Sequence, residues 1–348
     1  MKFNKKIKVG KYTISKDDPV FIIAEAGVNH NGNIDVAKQL IDVAVESGAN
    51  AVKFQAFKTE NLILKDVQKA IYQKKTTGVS ESQFDMLKSL EITKEQNIEL
   101  LNYCKANDII FLTTPFDEGS LEELDILDLP AYKVASTDTT NLPFLKRIAQ
   151  KGKPIFLSTG MSYLSEVKKA LQEINAYNYD VVLLQCTANY PIRDEEANLN
   201  VIHTFRNTFD ILVGYSDHSE GSGAAPYAVP MGVVVVEKHF TLDKSTAGPD
   251  HRASLSPSEL KLFVAEIRKV EKYLGSFTKA PTGDEEKTRL SLQKSLVALQ
   301  RINKGEEFTL DNLVAKRTGG KGISPVHYKD LIGKRATKHY EPDDIITE

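Results

Sequence analysis

Eight short apolar runs, rich in β-branched residues, punctuate the first 240 residues, and each ends on or beside a polar side chain. Residues 20–24 lead to Glu25, 51–52 to Lys53 and Gln55, and 109–112 to Thr113 and Thr114, while 131–135 enclose Lys133 ahead of Ser136. Residues 154–157 lead to Ser158, 181–184 to Gln185 and Thr187, 211–213 to Ser216 and His218, and 233–236 to Glu237 and His239. Helix-period patterns fill the intervals. The clearest spans 34–47, where Ala37, Leu40, Ile41, Ala44 and Val45 share one face until Gly48 ends it. Further helical patterns at 120–129, 142–150, 164–174, 199–209, 223–231 and 257–274 carry the alternation to about residue 275. Strand and helix in this rhythm predict an α/β fold, a TIM (β/α)8 barrel, whose C-terminal strand ends converge on one mouth. The polar strand ends would then form a single pocket, which is the expectation for an enzyme.

One connection breaks the rhythm. Residues 56–109 carry more chain than one helix needs, including 65–78 and a longer helical stretch at 80–107. At a barrel's active face such an insertion serves as a lid or a substrate wall; the plainer alternative is packing without ligand contact. Domain 1 is read as 1–275, a Gly/Pro/Thr-rich linker as 276–287, and a second domain as 288–348, with short strand-like segments at 295–298, 312–316 and 345–346.

Composition narrows the function classes. With 41% hydrophobic and 26% charged residues, the chain can bury a large core. A net charge of -2 with mixed signs gives no broad basic surface for nucleic acid and no polybasic membrane anchor. Residues 1–11 are basic without an apolar signal core, so a cytoplasmic location is expected. The two cysteines, Cys104 and Cys186, are too few for a disulfide framework or a structural zinc site and read as small buried hydrophobes.

His218 and His239 end neighbouring strands, so their imidazoles can reach one divalent ion while leaving most of its coordination sphere open, which suits a Lewis acid. Glu237 shares the strand face of His239 and is a further ligand, a group that orients the site, or the ion-pair mate of a barrel lysine. Lys53 and Lys133, among Thr114, Ser136, Ser158 and Ser216, make a cradle for phosphate or carboxylate; one lysine alone would also suit Schiff-base chemistry. Glu25 can accept a proton or hold sugar hydroxyls. His30, in a polar turn with Asn31 and Gly32, is either catalytic or a product of turn chemistry. Asp250 is expected to face the same mouth.

These residues lie in longer motifs: Ile23-Ala24-Glu25-Ala26-Gly27-Val28-Asn29-His30-Asn31-Gly32, Val52-Lys53-Phe54-Gln55, Thr114-Pro115-Phe116, Leu157-Ser158-Thr159-Gly160-Met161, Gly214-Tyr215-Ser216-Asp217-His218, Glu237-Lys238-His239-Phe240-Thr241, Gly248-Pro249-Asp250 and Lys316-Arg317. In order and along almost the whole chain, they resemble the bacterial sialic acid synthases. The resemblance implies a TIM barrel followed by a small antifreeze-like (SAF-type) domain. It also implies condensation of phosphoenolpyruvate with N-acetylmannosamine, or a related N-acetylated hexose, to a nine-carbon 2-keto sugar acid and phosphate. A divalent metal is implied, Mn2+ first, with Mg2+ or Co2+ as alternatives, held by His218 and His239.

By the same resemblance, Lys53, Thr114, Lys133, Ser136, Ser158 and Ser216 hold phosphoenolpyruvate, and Glu25, Gln55, Asp138, Tyr190 and Asp250 meet the sugar. Glu25, Lys53, Lys133, His218 and His239 would be the catalytic set. The family pattern is a homodimer in which the C-terminal domain caps the partner's barrel, and Arg317 matches an arginine directed at the sugar's N-acetyl group.

Three departures bear on the sugar more than on the metal. Ser136-Thr137-Asp138 stands where the family has Ser-Gly-Glu, Gln185-Cys186-Thr187 where it often has His-Cys-Thr, and Thr318 where a proline usually follows Lys-Arg. The alternatives are a legionaminic or pseudaminic acid synthase using a 2,4-diacetamido-2,4,6-trideoxyhexose, a non-catalytic sugar-binding barrel, and a lysine-imine aldolase.

Overall fold

The computed structural model describes residues 1–70, 73–74 and 82–348. An antiparallel hairpin of β1 (Lys6–Val9) and β2 (Tyr12–Ser15) precedes eight parallel strands. These are β3 (Phe21–Gly27), β4 (Ala51–Ala56), β5 (Ile110–Pro115), β6 (Tyr132–Val134), β7 (Ile155–Ser158), β8 (Val181–Cys186), β9 (Leu212–Asp217) and β10 (Val235–His239). The ladder runs β5-β4-β3-β10-β9-β8-β7-β6, so the last strand pairs with the first of the eight, as a barrel requires. The two ends, β5 and the three-residue β6, lie in contact and nearly close the ring. Together with the intervening helices this is a TIM barrel.

Strand alternation explains how one sequence builds both core and pocket. Inward positions run Phe21, Ile23, Glu25 on β3 and Ala51, Lys53, Gln55 on β4; outward positions Ile22, Ala24, Val52 and Phe54 pack with the surrounding helices. Each stave is therefore apolar inside at its N-terminal end and polar at its C-terminal end. The lower interior is filled by Phe21, Ala51, Leu112, Ala131, Phe156, Val182, Leu212 and Val234, and the hairpin's Ile7, Val9 and Ile14 join that cluster as a plug. The hairpin's first strand lies in the segment read from sequence only as basic.

Several predicted helices differ in extent. The stretch expected at 80–107 forms two helices, Gln83–Lys88 and Lys94–Ala106, because Thr93 caps the second, accepting from the Gln96 N–H while the Gln96 side chain returns to the Thr93 N–H. Of the expected segments 65–78 and 80–107, residues 71, 72, 75–78, 80 and 81 lie outside the described residues. The pattern at 223–231 becomes a short helix, Ala225–Ala228, followed by a 3-10 turn, where Pro226 and Pro230 remove backbone donors.

Contacts divide the chain into Met1–Gly275 and Ser276–Glu348. Within the stretch read as linker, a helix begins at Gly283 and runs to Leu292, started by a capping box between Thr282 and Glu285. The C-terminal unit pairs β11 (Lys294–Ala298) antiparallel with β12 (Leu313–Arg317) over a core that includes Leu296, Ile302, Phe308, Tyr340 and Ile346. No helix among the described residues is long and apolar enough to cross a membrane.

Candidate active site

The strand ends open into a cavity of about 1020 Å³. It is lined by Glu25, Lys53, Gln55, Lys133, Ser136, Ser158, Tyr190, Ser216, His218, Glu237, His239 and Asp250, so twelve side chains from widely separated strands and loops face one space. Thr114 and Asp138 do not line it. Thr114 sits behind Lys53, whose Nζ donates to its hydroxyl (3.1 Å), and Asp138 accepts from Asn141 Nδ2 (3.0 Å) and from the Thr137 hydroxyl. Arg317 ends β12 in the C-terminal unit.

A buried tetrad of charges occupies the centre. Lys53 Nζ pairs with Glu25 Oε2 at 2.6 Å and with Glu237 Oε2 at 3.7 Å, and Lys133 Nζ lies 3.5 Å from Glu237 Oε1. The Ser216 hydroxyl donates to Glu237 Oε1 (2.9 Å). Of the three readings open for Glu237 from sequence, its contacts are those of the ion-pair mate. Burial pushes the Glu25 carboxyl up to about 7, with Lys53 opposing and Glu237 adding to the rise. Burial alone would raise Glu237 too, yet Lys133 and Lys53 bring it down to about 2. Two carboxylates side by side thus differ in proton affinity because one spans both ammonium groups.

The histidine corner has its own order. His218 Nδ1 donates to the Thr187 carbonyl (2.7 Å), and since a carbonyl only accepts, the neutral ring keeps its lone pair on Nε2. Tyr190 lies over that ring at a tilt of 33° with centroids 4.0 Å apart and meets the His239 ring edge to face at 5.5 Å. The two imidazole centroids are 5.6 Å apart, and His239 Nδ1 is buried without a hydrogen-bond partner among the described residues. Two neighbouring imidazoles lining one cavity are suited to a divalent ion completed by water or substrate. Among the described residues no third His, Cys, Asp or Glu joins them.

Gly27 makes room for this arrangement. The β3–β4 register shifts between Glu25 and Gly27, Gly27 has φ +56°, and a Cβ there would come within 3.3–3.4 Å of Glu25 Oε1, His239 Cε1 and Gln55 Nε2.

Other predicted groups fall away from the pocket. His30 is buried and outside the lining; its Nδ1 accepts from the Gly32 N–H (3.0 Å), which is the turn reading rather than the catalytic one. Burial, with His251 nearby, lowers its pKa to about 4. In the unfolded chain it titrates near its ordinary 6.5, so stability from the neutral ring is complete above that pH and is lost as pH falls from 6.5 to 4. Up to about 3 kcal/mol is involved. His30→Asn, which keeps an acceptor near Nδ1, is expected to flatten the fall of melting temperature between pH 6.5 and 4.5; an unchanged slope would reject the assignment. Cys186 is buried as expected and also lines the cavity, 3.8 Å from His218 Nδ1.

The wall expected of the insertion is present, whereas a buried ion pair escaped sequence reasoning. The insertion's Phe57, Leu62, Met86, Leu87 and Leu90 form an apolar wall with Val28 and Phe116, which follow β3 and β5, and all seven line the cavity. Behind the histidines, on the outward face, Lys238 Nζ pairs with Asp217 Oδ2 at 3.1 Å and donates to the Ser219 carbonyl (2.6 Å). Asp217 in turn accepts from the Ser219 and Ala225 N–H groups (2.9 and 3.1 Å). The signal was the tandem Asp217-His218 and Lys238-His239, since strand alternation turns the residue before each histidine outward. Lys238→Met strands a buried carboxylate and is expected to cost about 3–5 kcal/mol in denaturant unfolding; a loss under about 1 kcal/mol would show the pair to be dispensable.

Comparison with known proteins fits these features. Residues 40–279 match the NeuB family and residues 293–348 the SAF domain. The chain is 46% identical to the N,N'-diacetyllegionaminic acid synthase of Campylobacter jejuni subsp. jejuni, over 94% of its own length and 98% of that protein's. It is 40% identical to the N-acetylneuraminate-9-phosphate synthase of Mus musculus, over 95% and 92% of the two chains. The crystal structure of spore coat polysaccharide biosynthesis protein spsE from Bacillus subtilis superposes with a TM-score of 0.68 at 37% identity, covering 98% of this chain and 97% of that one. With this family match and these identities over nearly the full length, the chain belongs to the NeuB family of sialic acid and related nonulosonic acid synthases, and it is an enzyme of that class.

Proposed function

We propose that this enzyme condenses phosphoenolpyruvate with the open-chain form of an N-acetylated hexose, in a reaction that depends on a divalent metal, Mn2+ first. The observation that carries the reading is the meeting of His218 and His239 with Lys53 and Lys133 in one cavity. Those two histidines would hold the ion, which when bound supplies a Lewis acid for the sugar aldehyde. Lys53 and Lys133 bind the anionic groups of phosphoenolpyruvate, and the Ser158 hydroxyl, buried without a partner among the described residues, is available to one of its oxygens. C3 of phosphoenolpyruvate forms the new bond to the aldehyde carbon, whose oxygen takes up a proton; water adds to C2, and the C2–O bond to phosphate breaks as the C2 hydroxyl loses its proton to become the ketone. Glu25, poised near neutrality by burial, accepts the proton that the water releases.

The apolar wall favours a 2,4-diacetamido-2,4,6-trideoxyhexose, whose acetyl and C6 methyl groups would lie against Phe57, Met86 and Leu90. The likeness to the legionaminic acid synthase of C. jejuni supports the same acceptor. N-acetylmannosamine is the second reading, favoured by the polar side formed by Glu25, Gln55 and Asp250. Phosphate release from phosphoenolpyruvate with each sugar, with Mn2+ and after chelation, tests both. Turnover is expected to require the metal, with kcat/KM at least about tenfold higher for the diacetamido sugar. A preference for N-acetylmannosamine would reverse the acceptor, and borohydride trapping with pyruvate would replace the reaction by imine chemistry.

A further inference from the structure

We propose that Glu237 is a resident counter-anion, spanning Lys53 and Lys133, that keeps them from capturing an anionic substrate until a dication occupies the His218–His239 corner. Cation and anion would then enter this cavity as a pair. The proposal rests on the phosphoenolpyruvate reading above.

The argument begins with charge. Lys53, Lys133, Glu25 and Glu237 are each at most 4% exposed, and in their ionised forms two positive groups face two negative ones. Glu25 touches one lysine, at 2.6 Å from Lys53, whereas Glu237 reaches both, at 3.7 and 3.5 Å. Burial weakens the screening of these charges, so a multivalent anion added to the balanced tetrad meets repulsion from Glu237 at short range. A dication on the adjacent imidazoles restores the balance. His239 lies two residues from Glu237 on the same strand face, so the ion and the carboxylate share one wall.

The hydrogen bonds point the same way. Among the described residues, Lys133 Nζ donates only to the Val134 carbonyl, at 3.3 Å, and Glu237 Oε2 has no hydrogen-bond partner. At 3.5–3.7 Å, Glu237 neutralises the ammonium groups without using up their N–H donors. Donors remain for substrate oxygens while the charge is already matched. That combination makes anion binding conditional, where a simple lysine cradle would bind any phosphate in the cell.

The test is calorimetric titration of phosphoenolpyruvate into the full-length protein, stripped of metal or supplied with Mn2+, for the wild type, Glu237→Gln and Glu237→Ala. The wild type is expected to bind at least about tenfold more weakly without metal. Both variants are expected to bind metal-free phosphoenolpyruvate at least about tenfold more tightly than the metal-free wild type. A gain of affinity is a result that a damaged pocket does not produce, and the alanine variant stands in if the glutamine variant fails to fold. Metal-free affinity that stays at or below the wild-type value in a folded variant overturns the proposal, as does wild-type binding indifferent to Mn2+. No binding by any form in any condition would remove the phosphoenolpyruvate reading along with it, whereas metal-indifferent binding removes this inference alone.

Discussion

Replacing His218 by alanine is expected to lower kcat for phosphate release by about a thousandfold or more and to abolish measurable Mn2+ binding, with little change in melting temperature. On the proposed metal-dependent reading, the size follows from the loss of Lewis-acid assistance worth several kcal/mol at the aldehyde oxygen. Specificity of the effect follows from geometry. The ring is held by the Thr187 carbonyl on one side and by Tyr190 over its face, so His218 contributes a fixed lone pair to the cavity and little to the apolar core. Steady-state phosphate release, metal content and thermal denaturation on one preparation separate these contributions. Activity that survives both the substitution and removal of metal would reject the assignment of His218.

The second large effect concerns stability. Ile7→Ala combined with Ile14→Ala is expected to cost about 4–8 kcal/mol, taking about 2–5 kcal/mol for each large-to-small change at a buried site. Both side chains are only 1% exposed and pack with Phe21, Phe156 and Leu212 at the bottom of the barrel. Partial additivity is expected, because the two residues face each other across the hairpin register. Urea unfolding at saturating and at zero metal gives the measurement; a loss below about 2 kcal/mol would mean that the barrel closes without its plug.

The barrel was legible because its signal is local. Alternation of β-branched runs with helix-period stretches survives in every repeat, and the strand-end residues Glu25, Lys53, Lys133, Ser158, Ser216, Glu237 and His239 follow from it, since period two dictates which side chains turn inward. Thr114 also follows the inward pattern but is covered by Lys53, a matter of side-chain length that periodicity does not encode. The N-terminal hairpin hid behind charge: in Lys6–Val9, lysines alternate with the buried Ile7 and Val9, and four residues are too few to stand out beside the basic composition. For His30 the sequence left a catalytic role and turn chemistry open, and the hydrogen bond from the Gly32 N–H to its ring decides for the turn. The apolar wall could not be read from spacing, because Phe57, Met86 and Leu90 come together only through the path of the insertion.

The alternation along each stave has an evolutionary corollary. Deleting one residue inside β4 would rotate Lys53 toward the helical layer and send Phe54 into the reaction chamber, spoiling core and catalysis in a single event. Length change is therefore tolerable only between staves. Drift in acceptor preference among relatives should accumulate in the loops and the long insertion, while the staves exchange residues one for one and never change count.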